Sequence, residues 1–378
     1  MRRVALLLNF IPPYRVPVFE ALRDRVKDLR LFVSTPIEPG RDWPVAWGNL
    51  EVVLQRNLTV RMRSNHPAGF FDEQYVHFPY DTFSQLQRYA PDVVISGELG
   101  VRTCMAAAYR AFRSRGRLII WATLSEQTEQ GRGRLREELR RRVLPRADAI
   151  FVNGRSGARY IEGFGVPPHK IRILPQTVNI DAFSAEPEPS CPRGCRPLLF
   201  VGRLVARKGL GPFLEALRRW AERHPARSLE FVIAGEGPDR GQVERLPMPS
   251  NLTVRLLGSV AYERLPRVYA GAGMLVLPTL ADEWGLVVNE AMAAGVPVLG
   301  SLYSQAVQEM VVDGANGWTF YPDRPETIDA ALSRALDSPP DDLARIGLAA
   351  KARGRQIGPS EMADRMAEAI EWVSRASS

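Results

Sequence analysis

Along this chain, short apolar runs alternate with longer segments in which apolar residues recur every three or four positions. In the first half the runs are Val4–Asn9, Leu31–Ser34, Val52–Gln55, Asp92–Ser96, Leu118–Trp121, Ala149–Asn153 and Ile171–Leu174. A helical period predicts Pro17–Val26, Val101–Phe112, Arg134–Leu144 and Gly157–Gly163 between them. Runs that are apolar throughout, rather than at every second position, belong to strands covered on both faces, as in a parallel sheet. The rhythm stops at 186–197 (EPEPSCPRGCRP), rich in proline and poor in apolar side chains, as an interdomain linker is. It restarts with strands Leu198–Gly202, Glu230–Ala234, Thr253–Leu257, Met274–Pro278 and Val296–Gly300. Helices Leu210–Arg223, Tyr262–Ala270, Leu286–Ala294 and Pro325–Leu336 follow the same rhythm, with a last one at Ser360–Val373. The pattern predicts an α/β protein of two doubly wound, Rossmann-like domains, 1–185 and 198–358, joined by the linker. Ligands of such sheets bind beyond the carboxyl ends of the strands, and two domains turn that crevice into an interdomain cleft.

The length of 378 residues suits two domains rather than one core, and 45% apolar with 24% charged side chains is ordinary for a globular chain. The opening MRRVALLLNF has the charge and apolar run of a signal peptide. Asn9 and Pro12-Pro13 interrupt it with no small-residue cleavage site, so it is expected to be a buried first strand. No stretch approaches the roughly 18 apolar residues of a membrane span. Three cysteines, Cys104, Cys191 and Cys195, make no disulfide framework, and a single CPRGC pair without further ligands makes no metal site. A reducing, cytoplasmic setting is therefore expected. The net charge is +8, and only four of the 50 cationic side chains are lysines. That balance favours anionic partners, while the absence of zinc-finger or RNA-binding spacings argues against nucleic acid.

Three strand ends carry the candidate chemistry. In Pro278–Ser301 (PTLADEWGLVVNEAMAAGVPVLGS) a strand runs through Asp282-Glu283 and Trp284-Gly285 into a helix beginning near Leu286. The free amides at such a helix start suit a phosphate or a sugar edge. Glu290 lies four positions after Leu286, three after Val287 and four before Ala294, which puts a carboxylate on an apolar face. There it must find donors or lose its charge, either in a structural ion pair with an arginine or against ligand hydroxyls. In Val201–Gly209 (VGRLVARKG) a strand ends at Gly202, and Arg203 and Lys208 flank a short loop. Two cations there can neutralise a diphosphate leaving group or form a merely solvated basic loop. Ala234–Pro238 (AGEGP) ends a third strand, with Gly237 in its turn. It lacks the last glycine of a dinucleotide fingerprint, and no GxGxxG or Walker A sequence occurs, so hydride transfer and P-loop chemistry fall away. In the first domain Tyr14 and Arg15 follow the first strand.

In order and spacing, VGRLVARKG, AGEGP and DEWGLVVNEAMAAGVPV resemble glycosyltransferase family 4, a retaining family with the GT-B fold. The likeness runs along nearly the whole chain and is strongest from Pro197 to Ser301. It implies two Rossmann-like domains facing a cleft, with the last helix (359–378) crossing back onto the first domain. It also implies transfer of a sugar from a nucleotide-diphosphate sugar to a glycan or lipid-linked acceptor, with no metal and no cofactor beyond that co-substrate. The family's paired acids stand eight positions apart; here they are Asp282 and Glu290, with Asp in place of the first glutamate and Glu283 beside it. By resemblance Glu290 binds the ribose hydroxyls, and Asp282 with the backbone of Trp284, Gly285 and Leu286 meets the sugar and phosphate. Arg203 and Lys208, with Gly202, hold the diphosphate, and the backbone near Val260 meets the base. The histidine that many members carry in the first domain is missing from Trp121–Glu129, where Ser125 and Glu126 are nearest. Tyr14, Arg15, Glu98, Ser125 and Glu126 are thus the candidates on the acceptor side.

Gly131–Arg146 carries seven arginines with Leu135, Leu139 and Val143 at four-residue spacing. It is either a core helix with solvated arginines or a basic amphipathic helix lying on an anionic membrane, which would make the protein peripheral on the inner face. Two rival functions stay open at this level: an isomerase similar to nucleotide-sugar epimerases, which needs a general base near the sugar, and a catalytically silent GT-B module. Nucleoside diphosphate release that depends on an acceptor separates the transferase from both.

Overall fold

The computed structural model describes residues 2–39, 43–113, 116–184 and 197–375. They form two compact units: Met1–Thr177 with Pro359–Ser378, and Val178–Gly358.

In the first unit the chain order is β1 (Arg3–Leu8), α1 (Val16–Arg23), β2 (Asp28–Val33), β3 (Glu51–Leu54), β4 (Asn57–Asn65), β5 (Phe71–Pro79) and α2 (Thr82–Tyr89). Then come β6 (Val93–Gly97), α3 (Val101–Phe112), β7 (Arg117–Ala122), α4 (Arg134–Val143), β8 (Ala149–Val152), α5 (Arg155–Glu162) and β9 (Ile171–Ile173). Among the described residues these strands, β4 and β5 apart, make a parallel sheet in the order β3-β2-β1-β6-β7-β8-β9. The central strands are buried along nearly their whole length, as runs without alternation require. Winding reverses between β1 and β6, which makes that pair the switch point of the sheet.

β4 and β5 form a separate antiparallel hairpin, Asn57 opposite Pro79 and Asn65 opposite Phe71. Periodicity did not predict it, because β4 is exposed over most of its length and alternates apolar side chains with arginines. Helix α4 takes up 134–143 of the arginine-rich stretch 131–146. Val143 is buried and Leu139 packs on the core, so the apolar stripe points inward and only Leu135 stays exposed. Arg140, one of the arginines expected at a membrane, is itself buried, ion-paired to Glu129 at 2.6 Å and bonded to the Tyr160 hydroxyl. The described helices include none long and apolar enough to cross a membrane.

The second unit begins with α6 (Ile180–Phe183) and β10 (Leu198–Val201), then α7 (Leu210–Arg223), β11 (Leu229–Ala234), α8 (Arg240–Arg245), β12 (Leu252–Gly258), α9 (Leu265–Ala270) and β13 (Met274–Leu277). It continues with α10 (Leu286–Ala293), β14 (Val298–Ser301), α11 (Gln305–Met310), β15 (Gly317–Phe320), α12 (Pro325–Leu336) and α13 (Pro340–Gly354). The sheet order β12-β11-β10-β13-β14-β15 repeats the first unit's winding, with its switch point between β10 and β13.

The division of the chain differs from the expectation of a first domain over 1–185. Val178 and Phe183 are buried in the second unit, where Phe183 packs edge-on against Tyr262 (5.5 Å) and Tyr269 (5.7 Å). The change of unit therefore falls at Thr177/Val178, ahead of the proline-rich stretch. That stretch, with Cys191 and Cys195, lies outside the described residues except for Pro197. The final helix, α14 (Pro359–Arg375), belongs to the first unit. It buries Met362, Met366 and Ile370, and Arg25 just after α1 holds Asp364 at 2.6 Å and the Ser360 hydroxyl at 2.7 Å.

Candidate active site

The three sequence motifs of the second unit occupy the loops after β10, β11 and β13, neighbours at the carboxyl edge of one sheet. Backbone bonds tie them together: the Gly202 amide to the Ala234 carbonyl (3.0 Å), Leu204 to Glu236 (2.9 Å) and Leu280 to Arg207 (2.8 Å). This approach is what the glycines are for. A Cβ at Gly235 would stand 1.8 Å from the Gly202 carbonyl oxygen, and one at Gly237 would stand 2.2 Å from that of Leu204. Gly209, at φ +65°, leaves no more than 2.1 Å between such a Cβ and the Pro278 carbonyl oxygen. The loops can lie this close only without side chains.

Within this frame Lys208 and Asp282, 74 positions apart, form an ion pair at 2.5 Å, both mostly buried. Burial alone drives the Asp282 carboxyl upward, but the charges of Lys208 and Arg207 and hydrogen bonds from Lys208 and the Trp284 amide outweigh it. Its pKa lies below the usual carboxylate value. Lys208 is therefore anchored rather than loose on its loop. Arg203 is exposed, and its guanidinium makes no hydrogen bond or ion pair among the described residues. Trp284 is buried, its indole N–H donating to Asn289 at 2.7 Å, and its carbonyl accepts from Ala306 N–H and the Ser304 hydroxyl. Gly285, at φ +107°, turns the chain into α10. The amides of Gly285 and Leu286 donate to no other described residue, so the start of α10 keeps free N–H groups beside the ion pair. Glu283 is half-buried, its carbonyl accepting from Gln305 at 2.7 Å. Val260 is half-buried in the turn after β12, two strands from β10.

Glu290 projects from α10, which is buried on nearly every side. Its alanines let α13 come so close that a Cβ on Gly354 would stand 2.9 Å from the Ala293 nitrogen. The expected alternatives for Glu290 included an arginine ion pair; its partner is instead the phenol of Tyr269, which donates to Oε2 at 2.6 Å. Burial is the main influence and pushes the Glu290 carboxyl up to about 7, with the Tyr269 hydrogen bond pulling the other way. Tyr269 was not among the candidates; its only signal was a polar tip on an otherwise apolar helix face.

The switch point of the first unit has different chemistry. Glu98, just after β6, holds φ +67°, a left-handed conformation costly for a side chain with a Cβ. Its carboxylate is exposed and accepts from Asn9 Nδ2 at 2.7 Å. Asn9 in turn accepts from Arg102 at 2.7 Å, and Arg102, only 3% exposed, also donates to the Ser34 hydroxyl at 2.5 Å. Burial lowers the Arg102 pKa to about 10 against the raising influence of Glu98 and Glu38. Arg15 stacks on Trp121 at 4.6 Å, and with Tyr14, Gln176 and Met362 it lines a narrow cleft. Ser125 is not available to a ligand: it is 1% exposed and closed onto Thr128 in a local turn. Glu126 is held by Arg159 at 2.6 Å and Ser156 at 3.0 Å. His66 reaches the Gln127 carbonyl at 2.6 Å, while its other ring nitrogen accepts from the Ala68 amide at 3.1 Å. With both nitrogens engaged it is a structural histidine.

Two units of matching winding, one of them gathering a lysine–aspartate pair and a helix start at its switch point, define a GT-B protein. Structural neighbours agree. The lipopolysaccharide outer core galactosyltransferase WaaB aligns over 98% of this chain and 99% of its own at TM-score 0.70 and 14% identity. The Anabaena protein HepE in complex with UDP aligns over 98% and 100% at TM-score 0.71 and 15% identity. A family model described as "Glycosyl transferase 4-like domain" matches residues 13–177, and one described as "Glycosyl transferases group 1" matches 196–338. The chain belongs to glycosyltransferase family 4. Among curated relatives, the alpha-D-kanosaminyltransferase of Streptomyces kanamyceticus is 33% identical over 38% of this chain and 37% of its own. The D-inositol 3-phosphate glycosyltransferase of Thermobispora bispora is 29% identical over 62% and 59%. These matches thus span between about two fifths and three fifths of those relatives' length.

Proposed function

We propose that this chain transfers a sugar from a nucleotide-diphosphate sugar to a hydroxylated acceptor, with retention of configuration and without a metal. The observation that carries the reading is the meeting of the Lys208–Asp282 pair and the free amides of α10 at the switch point of the second sheet. An ammonium has three donors, so Lys208 can keep Asp282 and still reach a phosphate oxygen. Arg203 supplies a second cation, and a developing diphosphate charge is the largest electrostatic demand of the reaction. Glu290 takes the ribose hydroxyls, Gly202 and Gly237 let the backbone approach the donor, and the turn at Val260 faces the base. Asp282 both anchors Lys208 and borders the transferred sugar.

In the reaction the acceptor oxygen bonds to the anomeric carbon on the face that the diphosphate leaves. The carbon–oxygen bond to phosphate breaks, and a donor phosphate oxygen takes the acceptor proton. On the first unit, the exposed Glu98 carboxylate and the stacked Arg15 are the groups left to orient an acceptor.

The test has two stages. A thermal-shift panel of UDP-, GDP- and ADP-sugars identifies a donor by selective stabilisation of the native state. Nucleoside diphosphate release is then measured with and without glycan and lipid-linked acceptors. Acceptor-dependent release supports the transferase; release or epimer formation without acceptor refutes it.

A further inference from the structure

Glu290 and Tyr269 are both almost fully buried, and what holds the tyrosine is unusual in its chain position. The ring of Phe183 meets Tyr269 edge-on at 5.7 Å and Tyr262 at 5.5 Å. Phe183 ends α6, the short helix on which the chain enters the second unit. The residue on which it leaves, Gly358, lies against the same helix: a Cβ there would be 3.4 Å from Ile180 Cδ1. An aromatic column thus runs from the entry segment through Tyr269 to Glu290, with no cation in it.

We propose that Tyr269 is a positioning residue that aims Glu290 at the donor ribose, and that Phe183 fixes Tyr269 in that role. The inference rests on Glu290 being the ribose ligand, as argued above. A carboxylate buried without a cation needs hydrogen-bond donors to stay ionised. Tyr269 supplies one, and two ribose hydroxyls supply the rest when the donor arrives. Donor binding therefore draws a proton off Glu290 near neutral pH, where the free carboxyl, raised to about 7, is still partly protonated.

The neighbours leave few other actors. α9 and the turn before it contribute Tyr269 and Tyr262, both of which interact with Glu290. The other helices packed against α10 carry Asp181 (α6), Glu309 (α11), and Lys351 and Arg353 (α13), while burial and the Tyr269 hydrogen bond are the main influences on Glu290. β13 and β14 carry no charged residue.

The experiment is calorimetric titration of the full chain from pH 5.5 to 9. The probe is UDP-glucose, ADP-glucose or GDP-mannose, whichever raises the wild-type Tm most; these have no phosphate proton titrating near neutrality. Wild type is expected to bind at least about tenfold more weakly at pH 5.5 than at pH 8, and to release roughly half a proton on binding at pH 7. Glu290→Gln should bind weakly with no pH step. Tyr269→Phe removes a donor to the carboxylate, so its midpoint moves to higher pH: the loss is largest near pH 7 and shrinks by pH 9. A packing role alone would weaken binding equally at every pH, and an unmoved midpoint in Tyr269→Phe overturns the proposal while leaving the donor site standing. Glu290→Gln binding like wild type overturns the donor-site reading and this inference together. Phe183→Leu, which keeps the phenol, should move the midpoint the same way by less; no movement removes Phe183 from the scheme. Should Tyr269→Phe not fold, the wild-type proton count still decides, since zero release near pH 7 is incompatible with the proposal.

Discussion

The two switch points share a winding and reverse a polarity. In the second unit the acid, Asp282, is buried and the cations stand nearer the surface, Lys208 anchored to it and Arg203 exposed. In the first unit the cation, Arg102, is buried and the acid, Glu98, is exposed, linked through Asn9. One site presents positive charge and free amides, the other a carboxylate oxygen. Identical topology therefore does not decide what a crevice binds. Which member of a charge pair the core covers decides which sign of charge stands outermost at the strand ends.

The comparison breaks most severely at Lys208. Lys208→Ala should lower acceptor-dependent diphosphate release by about a hundredfold or more, the scale of a lost transition-state cation. A change under about threefold, measured by steady-state kinetics, would take Lys208 out of the site. Next come the glycines that allow loops to meet. Gly235→Ala sets a Cβ against the Gly202 carbonyl and should cost at least about 2 kcal/mol in a urea melt. Gly100→Ala, beside Glu98, meets no atom within 4 Å and should cost under about 0.5 kcal/mol, so equal costs would erase the contrast between the two turns. Glu98→Gln sharpens the polarity claim: acceptor KM should rise about tenfold, one charge-assisted hydrogen bond, with donor affinity unchanged. A shift in donor affinity instead would move Glu98 to the wrong side of the reaction.

The smallest effect concerns stability against pH. The Glu290 pKa is raised from the ordinary glutamate value to about 7 in the folded chain. The stability tied to its protonated form is complete below the unfolded value and is lost as pH rises through about 7. Without donor, Glu290→Gln should therefore gain Tm relative to wild type between pH 5 and pH 8, by a few degrees. A hidden ion pair at Glu290 would give the opposite trend.

Much of this was legible in one dimension. Parallel strands announce themselves as unbroken apolar runs because both faces are covered, and the helix spans Val101–Phe112, Leu210–Arg223 and Pro325–Leu336 follow from periodicity alone. The hairpin Asn57–Pro79 did not, since an exposed two-stranded ribbon needs no apolar run. Glu290 was visible as a carboxylate on an apolar face; Tyr269 was not, because a tyrosine on such a face reads as core. Ser125 was a candidate by its place in the chain and fell away once its hydroxyl was found closed on Thr128. The arginines of 131–146 looked like a surface stripe until Arg140 proved buried against Glu129.

By itself the amino-acid order determined the α/β class, two wound units, the three glycine-bearing strand ends and the family they resemble. These are local or periodic properties, written in neighbouring residues. Tertiary structure alone decided that Lys208 pairs with Asp282, that Glu290 answers to a phenol, and that the chain changes unit at Thr177 rather than at the prolines. Each of those joins residues remote in sequence or depends on which groups the core covers, and burial and partner are what set a charge's chemistry.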